Sequence, residues 1–387
     1  MQLKRRTIWQ ISLITVIRVI MSTGFRMVFP FQPYIMEGLG IELKHIARLA
    51  SGQSAIGIIS PFIATVADRR GRKAGMLAGL LFFSLGLLIV VFYPTVIGFT
   101  FFLLFSSLGK FVFDPSAQAY FSDRVPYRNR GLLFGLTEMS WSAAFFLGVP
   151  IMGVLISRSG WSSPFNLLAF LGGISLLSIF IIIPGEGTSS GSGPALFQNI
   201  RNVILTPAAL AAFGVTFFIC MGNQIINLTF GVWLEETFAF QAAALGGASA
   251  LIGISELVGE GGVSLIADIL TKKRSVFWGL VTNGVVAVFL PFLGRMQFGA
   301  LAGLFLYYLT FEFTIVCMIP LMSGILPASR TTVMAMFVAS ASLGRVFSGL
   351  FTASLYGRGF VVSSFVVGGL SIFALIAHHF IVVQEDQ

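Results

Sequence analysis

Long apolar runs alternate with short polar segments along the whole chain. Each run is about as long as the ~20 residues that a helix needs to cross the hydrocarbon core of a bilayer. The pattern therefore predicts an all-α polytopic membrane protein. Its twelve predicted transmembrane helices lie at about residues 8–33, 45–67, 74–93, 97–121, 130–157, 162–184, 203–233, 242–267, 275–293, 297–323, 331–356 and 359–383.

A Gly/Ser-rich stretch, residues 185–194 (GEGTSSGSGP), separates the sixth predicted span from the seventh. Such a composition is typical of a flexible linker. The chain is therefore predicted to consist of an N-terminal six-helix half at 1–184, a cytoplasmic linker at 185–202 and a C-terminal six-helix half at 203–387.

Two charged loops occupy equivalent places in these halves, between the second and third span of each. Residues 68–73 read DRRGRK, and a weaker copy consists of Asp268 followed by the basic triplet 272–274 (KKR). So many charges cannot lie in hydrocarbon, so each loop is predicted to be a turn at the membrane surface. The repetition predicts two pseudo-symmetric halves with a binding site near the middle of the membrane, an architecture typical of transporters.

Composition and charge agree with this class of protein. Hydrophobic residues make up 56% of the chain and charged residues 10%, with a mean hydropathy of +0.92, whereas soluble domains carry about 25% charged residues. The net charge of +9 does not indicate nucleic-acid binding, because the basic residues are scattered through short loops. Most of them fall on the side of the N-terminus, which predicts cytoplasmic termini in a plasma (inner) membrane.

The two cysteines, Cys220 and Cys317, both lie in apolar runs. They are predicted to be buried packing residues, and no disulfide, metal site or cofactor is expected.

Across nearly its whole length the chain resembles the major facilitator superfamily. Residues 68–73 match the signature loop of that family, and Asp268 marks the second copy. Ala64, four residues before the loop, is a departure, because the family usually has Gly there. Residues 147–153 (LGVPIMG) are similar to the Gly/Pro motif of the bacterial drug and sugar efflux branch, which includes drug:proton antiporters. One departure is Leu103, which stands near the place where proton-driven exporters of the family carry an Arg.

The resemblance implies roles for several residues. A conformational latch on the cytoplasmic side would use the signature loop, a turn at its glycine and an acid after span four. The residues assigned to this latch are Asp68, Arg69, Gly71, Arg72, Asp123 and Asp268. Helix packing in span five would depend on Gly148, Pro150 and Gly153.

Charged residues within the spans are costly and are therefore candidates for function. Lys110 and Asp114 lie one turn apart on span four, where they can pair with each other or form a switchable pair beside the cavity. Arg26 lies deep in span one and must find Asp114, Glu138, a substrate anion or water. Arg18, nearer the cytoplasmic end, can reach the membrane surface or pair with Glu138.

Glu312 in span ten has no basic residue within a turn. A carboxyl without a cation in hydrocarbon favours its protonated form, so Glu312 is the preferred proton-coupling group and Asp114 the second. The alternative is a neutral Glu312 hydrogen-bonded to a neighbouring helix. Glu256 and Glu260 are interpreted as mostly structural, with Arg345 as a partner.

Neutral polar and aromatic side chains of spans seven and ten complete the predicted cavity and favour an amphipathic ligand. They are Asn223, Gln224, Asn227, Tyr307 and Tyr308.

The sequence thus predicts a monomeric secondary transporter that works by alternating access and exports a small amphipathic or drug-like solute, either alone or in exchange for protons. Its partners are a small-molecule substrate and the lipid bilayer. The alternative within this class is a uniporter or importer of a sugar, metabolite or lipid. An integral-membrane transferase is less well supported, because neither His45 nor the pair His378 and His379 has an evident catalytic triad.

Overall fold

The computed structural model describes residues 5–59, 71–124, 139–185, 196–266, 271–326 and 329–381. Within these ranges the regular elements are all helical. In chain order they are α1 Arg5–Arg26, α2 Gln32–Leu39, α3 Leu43–Ala55, α4 Arg72–Phe92, α5 Val96–Arg124, α6 Met139–Ser159, α7 Ser163–Ile182, α8 Leu196–Ile204, α9 Pro207–Asn227, α10 Phe230–Phe238, α11 Ala242–Ile266, α12 Lys272–Leu293, α13 Gln297–Ile325, α14 Arg330–Tyr356 and α15 Phe360–His379.

Among the described residues, eleven helical segments are long and apolar enough to cross a membrane. They coincide with eleven of the twelve predicted spans to within a few residues, except for span one, which ends earlier than predicted, and span five, whose first part lies outside the described residues. The remaining prediction, 45–67, begins with α3 and a 3-10 turn at Ile56–Ile59. Its last part, from residue 60 onward, also lies outside the described residues.

Two predicted boundaries differ from the structure. The first span was predicted to continue to residue 33, but α1 ends at Arg26 and a turn over 27–31 precedes α2. Pro30 and Pro33 supply no backbone N–H groups, so a continuous helix would lose hydrogen bonds there. The end of the predicted linker is also helical, because α8 begins at residue 196, whereas 186–195 lie outside the described residues.

The contacts group the chain into two compact units. Unit 1 consists of Met1–Ile41, Phe62–Ser192 and Gln241–Ala250, and in its interior α4 packs against α5 and α7 while α1 packs against α5. A Cβ on Gly79 of α4 would lie 2.6 Å from the Gly109 carbonyl oxygen of α5, and the reverse distance is also 2.6 Å. This pair of glycines therefore lets α4 and α5 cross closely.

Unit 2 consists of Glu42–Pro61, Gly193–Phe240 and Leu251–Gln387. In this unit α9 packs against α14 and α15, α12 packs against α13 and α15, and α3 packs against α14. The predicted division into halves at 185–202 follows the repeat in the sequence rather than these contacts, and it stays a prediction.

A lysine near the start of one helix binds the end of another helix in each unit. Lys73, the second residue of α4, donates from Nζ to the carbonyl oxygen of Phe180 in α7 at 2.7 Å. Lys273, the second residue of α12, donates to the carbonyl oxygen of Ile381 after α15 at 2.5 Å. A cation at a helix C-terminus also interacts favourably with the helix dipole. The two bonds join residues 107 and 108 positions apart, as expected for a duplicated arrangement.

Candidate functional site

Unit 1 contains a buried cluster of charges contributed by α1 and α5. The Nε atom of Arg18 lies 3.1 Å from Oδ1 of Asp114, and Nζ of Lys110 lies 2.8 Å from Oδ2 of the same carboxylate. Lys110 also donates to the hydroxyl of Ser22 at 3.0 Å. The side chains of Arg18, Lys110 and Asp114 are only 4%, 12% and 19% exposed. One carboxylate thus holds two cations from different helices.

The spacing of Lys110 and Asp114 predicted their pairing, and the structure shows it. Arg18 pairs with Asp114. The suggested contact of Arg18 with Glu138 stays a prediction, because Glu138 lies outside the described residues.

Arg26 lies at the end of α1 and is almost fully buried. Its Nη1 donates to the carbonyl oxygen of Trp141 at 2.9 Å, and its guanidinium carbon lies 4.4 Å from the centre of the Trp141 ring and 3.5 Å from that of Phe145. Aromatic faces attract cations, most strongly where water is excluded. The aromatic side chains of α6 therefore help to hold a charge that cannot be removed by deprotonation.

A π-helical turn in α6, Ala144–Gly148, places Phe145 in this contact. The N–H of Val149 bonds to the carbonyl oxygen of Ala144, five residues earlier, and the next residue, Pro150, has no N–H to donate. Single π turns of this kind occur frequently at functional sites. A Cβ on Gly148 would overlap the side chain of Thr23, so this glycine lets α6 contact α1.

The other glycine of the motif, Gly153, also lies at a close crossing. A Cβ on it would come within 2.6 Å of the carbonyl oxygen of Ala242, at the start of α11. The Gly/Pro motif therefore lies at two close helix contacts within unit 1.

Unit 2 contains a chain of neutral polar groups between α9 and α13. The hydroxyl of Tyr308 donates to Oδ1 of Asn227 at 2.5 Å, and Nδ2 of Asn227 donates to Oδ1 of Asn223 at 2.9 Å. Nδ2 of Asn223 and the hydroxyl of Tyr307 are buried and have no hydrogen-bond partner in the described part of the chain. Buried donors without an acceptor are costly, so both groups raise the free energy of this arrangement. Gln224, on the same helix, is also buried.

Glu312 in α13 lies against α11, because its Cβ is 3.2 Å from the position that a Cβ on Gly259 would take. Cys220 and Cys317 are free and buried.

The latch residues are only partly described. Gly71 has φ of 88°, a conformation that favours glycine, immediately before Arg72 begins α4. Asp68, Arg69, Asp268 and the side chain of Asp123 lie outside the described residues, so the latch stays a prediction.

Several residues of these sites escaped the sequence analysis. Ser22, Trp141 and Phe145 contact the cations of unit 1 from neighbouring turns or helices. Gln32, at the start of α2, is fully buried, and neither polar atom of its amide group has a hydrogen-bond partner among the described residues. In the sequence, the feature that could have drawn attention to Gln32 was a polar amide group between apolar residues and prolines.

Residues 14–348 match the family model described as Major Facilitator Superfamily. The Bacillus subtilis protein named uncharacterized MFS-type transporter YwfA is 26% identical over 361 residues, which cover 87% of this chain and 86% of that protein. Multidrug resistance protein 2 of the same organism is 25% identical over 276 residues, covering 68% of each.

A crystal structure of a bacterial homologue of the human lysosomal transporter Spinster, in an inward-facing and unoccupied conformation, is similar in fold. The TM-score is 0.78 at 12% sequence identity, covering 98% of this chain and 97% of that one. At that identity the likeness shows the fold alone. The all-α, multi-span fold class predicted from the sequence is confirmed.

Proposed function

The chain belongs to the major facilitator superfamily of multi-pass membrane transporters, and we propose that it exports a small amphipathic or drug-like solute by alternating access. The Gly148/Pro150 motif and the similarity to a protein named for multidrug resistance support export. The polar and aromatic residues of α9 and α13 support an amphipathic substrate, because they offer hydrogen bonds beside apolar surface.

The observation that carries this proposal is the buried carboxylate of Asp114 with its two cations. Protonation of Asp114, or binding of a charged solute, would break at least one ion pair and leave a buried cation without its partner. Such a site changes state only together with a rearrangement of α1 and α5. A ligand or proton can thereby be coupled to a conformational change.

Exchange against protons is part of the proposal, with Glu312 as the first coupling group and Asp114 as the second. Glu312 is partly buried in a membrane helix, where the free energy of its ionised form depends on the charges and dipoles of the neighbouring helices. A movement of α14 relative to α13 would change that free energy and hence the binding of a proton.

Transport in proteoliposomes tests export and coupling together. The purified protein is reconstituted, a pH gradient is imposed, and the movement of ethidium and of an uncharged amphipathic dye is recorded. We expect Glu312→Gln to abolish the response to the gradient. The matched control is Glu37→Gln, which removes the same charge from an exposed position on α2. Antiport is wrong if dye flux ignores the gradient and Glu312→Gln transports like the unaltered protein.

A uniporter or importer is the second candidate, and Leu103 is the observation that favours it. This side chain is buried and apolar near the place where the resemblance leads us to expect an Arg in proton-driven exporters. Solute flux with and without an imposed pH gradient distinguishes the two, because a uniporter needs only the solute gradient, whereas an antiporter responds to the pH gradient. Counterflow of labelled solute into vesicles preloaded with unlabelled solute separates a carrier from a channel or a membrane transferase.

The topology is proposed along with the function. Both termini would lie in the cytoplasm, with the protein a monomer in the plasma (inner) membrane and two six-helix halves at 1–184 and 203–387. Labelling of single cysteines from either side of intact cells tests this. Modification of a cysteine placed at the N-terminus by an impermeant reagent would contradict it.

A further inference from the structure

A pocket of about 400 Å³ lies where α12 begins and α15 ends, outside the clusters described above. Its lining combines cations, a hydroxyl and an aromatic ring: Thr271, Lys273, Arg274, Phe277 and His378.

Two of these side chains form a fixed frame. Lys273 is bonded through Nζ to the carbonyl oxygen of Ile381, and Nε2 of His378 donates to the carbonyl oxygen of Lys273 at 3.0 Å. The ends of α12 and α15 are therefore tied together in both directions. These two bonds hold the start of α12 in place and do not involve the charges of Lys272 and Arg274.

Arg274 and its neighbour Lys272 are exposed beside this frame, and within the described ranges neither forms an ion pair. The positive charge here is thus available to an anion from outside the chain. Both residues belong to the basic triplet 272–274, which repeats part of the charged loop at 68–73.

Exposed aromatic side chains border the same place. Phe277 is 40% exposed, Trp278 is 53% exposed, and Phe380, just after α15, is 61% exposed. Aromatic rings at the ends of membrane helices lie at the level of the lipid head groups. A cationic pocket at that level between helices is the kind of place where an anionic head group binds.

We propose that this pocket binds the phosphate of an anionic glycerophospholipid. The guanidinium of Arg274, which lines the pocket, binds the phosphate, and the ammonium of the adjacent exposed Lys272 adds positive charge beside it. The acyl chains lie along the exposed ring of Phe277 and the neighbouring ring of Trp278, 5.4 Å away between ring centres. A soluble phosphate would gain from the cations alone, whereas a lipid also covers the rings.

Native mass spectrometry of the full-length protein, titrated with phosphatidylglycerol or phosphatidylcholine, tests the site. We expect tighter binding of phosphatidylglycerol. Each cation near a lipid surface strengthens binding about fivefold, so Lys272→Gln/Arg274→Gln should weaken phosphatidylglycerol binding roughly 25-fold. This variant keeps Lys273 and His378, and an unchanged melting temperature verifies that it is folded.

The matched control is Arg295→Gln/Arg358→Gln. It removes two exposed arginines, one just after α12 and one just after α14. The topology proposed above places both arginines on the side of the membrane opposite to the pocket. The control should leave phosphatidylglycerol binding unchanged. An equal loss of phosphatidylglycerol affinity in both double variants would mean that only the net charge matters, and it would overturn the proposal. Equal affinity of the unaltered protein for the two lipids would also overturn it. Displacement of the lipid by glycerol phosphate at a similar concentration would assign the pocket to a soluble phosphate and overturn the lipid site.

Discussion

Replacing Asp114 by asparagine isolates the charge that holds the cluster of unit 1 together. The substitution preserves the size of the side chain and one oxygen, but it removes the negative charge opposite Arg18 and Lys110. Lys110, whose side chain is only 12% exposed, then stays buried without its counter-charge, and Arg18, whose side chain is only 4% exposed, loses its ion pair with Asp114.

The cost follows from the geometry. Two unit charges about 4 Å apart attract each other by about 4 kcal/mol at the effective dielectric constant of ~20 that suits partly buried pairs. Desolvation cancels much of this gain, yet removing one partner of a buried pair costs about 3–5 kcal/mol, because the other charge remains buried. The asparagine oxygen can still accept one hydrogen bond. We therefore expect a loss of about 3 kcal/mol in the free energy of unfolding.

The free energy of unfolding is measured by titrating the protein in mild micelles with a denaturing detergent. Lys110→Met in the Asp114→Asn background removes the buried cation that has lost its counter-charge, so we expect it to recover part of the lost free energy of unfolding. The double-mutant cycle gives the coupling free energy between the two residues. The exposed Glu37→Gln variant controls for a simple change of net charge. If Asp114→Asn stays within about 0.5 kcal/mol of the unaltered protein, the two ion pairs contribute no net stability and the reasoning fails.

Two further substitutions test the other contacts. Gly148→Ala should cost about 1–3 kcal/mol of stability through its overlap with Thr23; Thr23→Ala in the same chain should recover part of it, and the absence of any recovery would place the strain elsewhere. Tyr308→Phe should lower the free energy of unfolding by about 1–2 kcal/mol, because Oδ1 of Asn227 loses its donor. Tyr307→Phe should leave the melting temperature unchanged, because the Tyr307 hydroxyl has no partner within the described chain. Equal effects of the two tyrosine variants on stability would argue against the hydrogen-bond chain.

The sequence predicted those features that depend on periodicity within one helix. Apolar runs of suitable length marked the spans, and the spacing of Lys110 and Asp114 predicted their ion pair. The resemblance to the major facilitator superfamily, which rested on the loop at 68–73 and its repeat, is confirmed by the family match.

Contacts between helices could not be predicted in the same way. Arg18 and Asp114 are 96 positions apart, and a single sequence does not specify which faces of α1 and α5 meet. The aromatic contacts of Arg26 also depend on the π turn, whose only sequence signal was a proline in a membrane helix.

The two lysine bonds described for the fold have a consequence for the synthesis of the chain. Lys73 binds Phe180 and Lys273 binds Ile381, so each bond can form only after more than a hundred further residues have been synthesised. The first bond needs only the residues up to Phe180, whereas the second needs those up to Ile381. Helices α4 and α7 can therefore be joined while the later part of the chain is still being made, whereas a protein truncated after His379 would keep α15 but lack the bond from Lys273.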